Sequence, residues 1–199
     1  MPTPKYYVEH IVNHLNLPSE KRENNPWFLS RKKHFQFIFQ MVKRRIDTMN
    51  NLKTLSKGRN HCAISTGSLD NIDQFTFAHD AVPFQIEGKV FVSEALGMSG
   101  GILSLNKLAP HASMPFHHTH VEHEEIYIFM GGKGEVMVDD ERFEVEPGSV
   151  VRVSPNGVRC WRNLTDEPLY YAVLQAKEGD NVIKTTIEDG RGVNRPVKW

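Results

Sequence analysis

The feature that most constrains this chain is the stretch His118-Thr-His120-Val-Glu122-His123-Glu124-Glu125-Ile-Tyr127-Ile-Phe129-Met-Gly131-Gly132. Successive side chains on an extended strand point to opposite faces. His118 and His120 therefore share a face. On the run that follows, Glu125, Tyr127 and Phe129 share one face, and Ile126, Ile128 and Met130 take the other. Gly131, Gly132 and Gly134 then let the chain reverse tightly. The stretch asks for two β segments joined by a bend. It brings two imidazoles and a carboxylate onto one wall of a β structure, and that donor set suits a divalent transition metal. His117 falls on the opposite face from His118 and His120. His123 sits in the bend and His111 in a loop, so these three read as solvated surface residues.

The flanking sequence is of the same kind. Short apolar runs at Val90–Val92, 101–108, Glu135–Val138, Arg142–Val145, Val150–Val153, 158–163 and Leu169–Leu174 are separated by turn signals. Among those signals are Ala109-Pro110, Asp139-Asp140, Glu146-Pro147-Gly148 and Pro155-Asn-Gly157. Short strands at this spacing predict an all-β sandwich or barrel. Residues 60–83 are richer in Gly, Ser, Asn and Asp, and read as loop and short strands.

The first 60 residues differ. They hold 12 basic and 4 acidic residues, a net charge of +8, and the remainder holds 12 and 20, a net of −8. Val8, Ile11, Val12 and Leu15 recur at helical period, and Pro18 stops that run. A second helix is expected after Ser30, with Phe35, Ile38, Phe39, Val42, Ile46 and Met49 on one stripe among basic residues. A basic amphipathic helix can lie on an anionic membrane or bind nucleic acid, but packing on its own domain or a partner subunit is the reading preferred here. The expected organisation is a basic helical extension over 1–59, a β domain over 60–180 and a polar tail over 181–199.

Overall, 24 basic residues balance 24 acidic ones, which gives no reason to expect a polyanionic partner. Cys62 and Cys160 are far apart and form no CxxC motif, which fits a reducing compartment rather than a disulfide framework. The first residues lack the apolar stretch of a signal peptide. The apolar run 35–42 is interrupted by Gln and too short to span a bilayer. These points lead to the expectation of a cytoplasmic protein, with nucleic acid and membrane not among its partners.

The spacing His118-x-His120-x4-Glu125-x6-Gly132 resembles the first motif of the cupin superfamily, and the resemblance extends over about residues 85–178. The family's leading Gly is replaced by Ala112, which concerns a turn and not a ligand. The resemblance implies a cupin-type β-barrel, also described as a double-stranded β-helix or jelly roll, behind the α-helical N-terminal extension. It also implies His118, His120 and Glu125 as ligands of Fe, Mn, Ni or Zn, and a homodimer formed through edge strands. The second family motif has its counterpart in Gly148 to Asn163, with Pro155-x-Gly157 intact. Counted forward from Gly157, Cys160 stands where the family has its fourth ligand, a His, and Asn163 arrives one residue early.

Three readings of that slot remain open. Cys160 ligates as a thiolate, water or substrate fills the position, or the metal site has decayed and the barrel mouth binds an organic molecule. Arg162 shares strand parity with Cys160, so it is the arginine expected to face inward and hold a substrate carboxylate. Tyr127 and Phe129 share Glu125's face and are further candidates to line a substrate pocket. The expected function is a metal-dependent enzyme, of dioxygenase or isomerase type, acting on a small organic molecule. The alternative is a non-catalytic small-molecule-binding module with a degenerate metal site. Fold resemblance cannot choose a reaction.

Overall fold

Twelve strands run through the described residues of the computed structural model, 51–78, 85–179 and 191, and side chains alternate between buried and more exposed along the strands that line the core, such as His123–Gly131 and Arg159–Asn163. The helices expected near residues 6–16 and after Ser30 lie outside the described residues, as does most of the tail. The described residues belong to one compact unit, Thr48–Trp199.

The strands are β1 (Lys53–Lys57), β2 (Cys62–Ser65), β3 (Thr76–Phe77), β4 (Ile86–Glu87), β5 (Lys89–Phe91) and β6 (Ile102–Leu108). Then come β7 (His123–Gly131), β8 (Gly134–Val138), β9 (Glu141–Val145), β10 (Val150–Val153), β11 (Arg159–Asn163) and β12 (Leu169–Lys177). Five of them form an antiparallel sheet in the order β10-β7-β12-β6-β5, and three form a second sheet, β11-β8-β9. β1 pairs with β2, so the expected boundary between residues 59 and 60 falls inside a hairpin. The segment expected to hold only loop and strand also contains a 3-10 helix, Leu69–Gln74. It starts where the Ser68 hydroxyl accepts the Asp70 N–H.

The two larger sheets face each other as a β-sandwich. The core between them is drawn from both: Tyr127, Phe129, Tyr171 and Val173 from one sheet, Val136, Val145 and Trp161 from the other. Tyr127, Trp161 and Tyr171 meet edge to face, with ring centroids 5.0 and 5.7 Å apart. Such pairs contribute beyond the area they bury, by about 0.5–1.5 kcal/mol each. The expected tight reversal after β7 is present. Gly132 has φ +76, and a Cβ there would run into the Pro168 carbonyl, so only glycine is tolerated.

β7 lies between β10 and β12, and the β7–β12 register sets the floor of the site. Glu125 stands opposite Gln175, Tyr127 opposite Val173 and Phe129 opposite Tyr171. Opposite residues on paired strands share a face. Glu125 and Gln175 therefore enter the interior side by side.

Candidate metal centre

Residues 112–120 form no regular strand. Pro110 and Pro115 interrupt the ladder, and His111 has the left-handed φ of +57. The segment is instead strapped in extended form along β11. Met114 N–H donates to Trp161 O at 3.0 Å, and Asn163 N–H to Ala112 O at 2.8 Å. His118 and Arg159 exchange N–H···O bonds of 3.3 and 3.1 Å, and His120 N–H donates to Pro155 O at 2.9 Å. This strap points both imidazoles at Glu125.

His118 Nε2 lies 3.6 Å from Glu125 Oε2, and His120 Nε2 lies 3.2 Å from Glu125 Oε1. All three ligand atoms fall within 4.8 Å of one another. Two donors each about 2.1 Å from a shared ion are about 3.0–3.4 Å apart at octahedral or tetrahedral angles. The 3.2 Å separation fits that spacing and the 3.6 Å one lies just beyond it, so the three side chains can hold a metal ion after a small adjustment of His118. Burial pushes the His120 pKa below its ordinary value, against the opposing charge of Glu125. The ring is thus neutral near pH 7, with a lone pair to offer.

The carboxylate is heavily committed. Glu125 Oε2 accepts from the Tyr127 hydroxyl, from Arg159 Nε at 3.0 Å and from Arg159 Nη2 at 2.7 Å. Oε1 accepts from Gln175 Nε2 at 2.7 Å. Burial opposes ionisation of Glu125, but hydrogen bonds from His118, Tyr127, Arg159 and Gln175 outweigh it and hold the carboxyl well below the usual range. The same environment, burial first and Glu125's charge second, raises Tyr127 and keeps its phenol protonated. Arg159 has no solvent exposure, and its Nη1 is spent on the carbonyls of Gly157 at 3.0 Å and Pro155 at 3.3 Å. Its guanidinium is a fixed internal cation beside Oε2. Oε1, on the His120 side, is the oxygen left for a metal.

Two expectations change here. Arg159, Trp161 and Asn163 face inward on β11, so Cys160 and Arg162 have the other parity. Cys160 is outside the cluster. Its Sγ–H donates to Met114 O at 3.4 Å, and burial raises the thiol pKa, which disfavours the thiolate a metal needs. Arg162 does not enter the interior. It is exposed and pairs with Glu135 at 2.8 Å.

The cause is Asn163, whose side chain fixes the end of β11. Its Nδ2 donates to the carbonyls of Leu108, Ala109 and Glu167, and its Oδ1 accepts from the Thr165 N–H and hydroxyl. Register is therefore counted back from Asn163, and four residues earlier stands Arg159. The position resembling the family's fourth ligand holds a guanidinium. Tyr127 lies at the site through its hydroxyl. Phe129 lies two residues deeper, 1% exposed against Tyr171, as a core side chain. His111 is exposed beside Asp166, as expected for a surface histidine, whereas His123 is half-buried as the first residue of β7.

Residues 104–174 match the Cupin domain family. These residues form a cupin domain. The chain is 32% identical over 62 residues to an uncharacterised protein of Methanocaldococcus jannaschii, covering 31% of this chain and 50% of that one. The matched stretch thus spans half the length of this curated relative. Among solved structures, the chain is similar to a cupin protein from Bacteroides fragilis at 26% identity and a TM-score of 0.45, covering 62% of this chain and 98% of that one. A sugar phosphate isomerase of the cupin superfamily from Silicibacter pomeroyi is similar at 22% identity and a TM-score of 0.42, covering 45% and 60%.

One more polar group, outside residues 104–174, carries no clear signal in the sequence. Lys89, on β5, donates to Ser104 Oγ at 3.3 Å and Asn106 Oδ1 at 3.0 Å, and lies 4.8 Å over the Phe91 ring. Burial pushes its pKa down to about 8, partly offset by the charge of Glu125. A lysine beginning a short edge strand gives no sequence signal of burial. The alternation of Ser104 and Asn106 with Leu103 and Leu105 was the available hint of a polar interior row. Among the described residues, no helix is long and apolar enough to cross a membrane.

Proposed function

We propose that this protein is a metal-dependent enzyme acting on a small organic molecule, with one divalent transition-metal ion held by His118, His120 and Glu125. The observation that carries this reading is the convergence of two imidazole nitrogens on one carboxylate, His120 Nε2 3.2 Å from Oε1 and His118 Nε2 3.6 Å from Oε2, with one ligand atom from each residue within 4.8 Å of the others. When bound, the ion supplies Lewis acidity, polarising an oxygen of the substrate or of water. The chain's own residues do the positioning. The strap along β11 aims the imidazoles, Arg159 and Tyr127 hold Oε2, and Gln175 holds Oε1. Reactions of isomerase or dioxygenase type fit such a site, with Fe, Mn, Ni or Zn as the ion.

The sandwich closes into a jelly-roll barrel, and two copies pair through edge strands. Cys62 and Cys160, both free, suit the cytoplasm.

Arg159 favours a second reading, a metal-independent binding module. Its guanidinium already supplies the positive charge that Glu125 needs. The two readings separate by elemental analysis of protein purified without tag or chelator, beside His118→Ala and Glu125→Ala variants. Near one equivalent of one metal, lost in both variants, supports the enzyme. No uptake of Fe(II), Mn(II), Ni(II) or Zn(II) on reconstitution sinks it. Thermal stabilisation by sugars or carboxylates that is indifferent to chelator would then support the module.

A further inference from the structure

We infer that Gln175 is the fourth protein ligand of the metal, its side-chain amide oxygen taking the coordination position left when Arg159 replaced the expected histidine. The inference rests on the metal reading above and adds a residue to it. Gln175 sits on β12 directly opposite Glu125 on β7, so the two side chains enter the interior together. The end of its amide lies 2.7 Å from Glu125 Oε1 and 3.0 Å from His120 Nε2. With the 3.2 Å between His120 Nε2 and Glu125 Oε1, these atoms form a triangle. Three donors on one face of an octahedron, each about 2.1 Å from the ion, are about 3.0 Å apart. The triangle has about those dimensions, and the His118 ligand atom lies within 4.8 Å of those of His120 and Glu125.

The amide suits either state of the site. Its oxygen and nitrogen occupy nearly interchangeable positions and exchange by a half-turn about the last side-chain bond. With the nitrogen inward, Gln175 donates to Oε1 and to the His120 lone pair. With the oxygen inward it faces the same two atoms, an arrangement that repels unless a cation lies among the three. Gln175 therefore reports the ion by turning over. Two imidazoles, one carboxylate and one amide oxygen form a nitrogen–oxygen set without sulfur, which selects Mn(II), Fe(II), Ni(II) or Zn(II) over Cu(I).

The test uses the full chain, with Zn(II) calorimetry and Cu(II) as a spectroscopic probe. Zn(II) affinity is measured for the parent, Gln175→Leu, Gln175→Glu and His118→Ala. Metal-free melting of each checks that it folds. Loss of at least about tenfold in affinity is expected for Gln175→Leu, with affinity retained or raised in Gln175→Glu. A donor to a neighbouring carboxylate would give similar losses, so a second readout is needed. Pulsed EPR of the Cu(II)-loaded parent, grown with 13C-glutamine, is expected to show a carbon hyperfine coupling that disappears in Gln175→Leu. A parent that binds Zn(II) through His118 but shows no such coupling, or a Gln175→Leu variant of unchanged affinity, overturns the assignment and leaves the metal site standing. A parent that binds neither ion overturns the metal reading itself.

Discussion

Replacing Arg159 with Met should be the most damaging single change at the site, and the structure sets its size. The guanidinium is wholly buried, makes two hydrogen bonds to Glu125 Oε2 and donates to two backbone carbonyls. Arg159→Met leaves Glu125, itself 4% exposed, as a buried carboxylate without its cation. Breaking a buried pair by removing one partner costs about 3–5 kcal/mol. In a unit of this size that lowers Tm by on the order of 10 °C. Glu125→Gln/Arg159→Met removes both charges and should lose less than Arg159→Met alone. The coupling read from the double-mutant cycle should reach about 2 kcal/mol. Urea unfolding of the four metal-free proteins, followed by tryptophan fluorescence, measures all the terms, since Trp161 packs in this core. Added Zn(II) should then stabilise Arg159→Met more than the parent, because an ion at Oε1 supplies the missing charge. A loss under about 1 kcal/mol, or additive single changes, would show that Glu125 and Arg159 are not coupled as described.

Other outcomes follow from the same geometry. Lys89 has a folded pKa of about 8 against an ordinary 10.5. The unfolded chain therefore binds more protons between those values, and stability should rise with pH across that window. Lys89→Met should accordingly stabilise the protein at pH 7, by up to about 3 kcal/mol, with the gain fading towards pH 10.5; urea unfolding at pH 7 and 10 checks it, and destabilisation at pH 7 refutes it. Cys160→Ala should leave metal stoichiometry and affinity unchanged, since its sulfur lies on the other face of β11; a calorimetric loss matching that of His118→Ala would contradict this. Asn163→Ala should cost about 1–3 kcal/mol in urea unfolding, because a buried side chain that ties three part-buried backbone carbonyls together is lost.

Much of this site was legible in the sequence because strand alternation is a hard geometric rule. Glu125, Tyr127 and Phe129 do share a buried face, and the HxH pair does meet Glu125. Motif two was harder to read for a physical reason. Gly157 and Asn163 offered two origins for counting, one residue apart, and a one-residue slip exchanges every side chain between the faces of a strand. Five hydrogen bonds on Asn163 decide in favour of the second origin, and they depend on partners at Leu108, Ala109 and Glu167 that no local pattern announces. Lys89 and Gln175 stayed unread for a related reason. Their significance comes from β5–β6 and β7–β12 pairing across long stretches of chain, and neither belongs to a recurring motif.

The strap along β11 also bears on how the site moves. The amides of Met114, His118, His120, Arg159 and Asn163 are all engaged in one set of backbone bonds between the histidine segment and the chain from Pro155 to Asn163. A set closed in this way opens as a cooperative unit, in the manner of hydrogen-exchange units in other proteins. The backbone of neither histidine can move away without breaking bonds of this set. Solvent deuterium should therefore enter these five amides at a common rate, and an ion on the imidazoles should slow all five together.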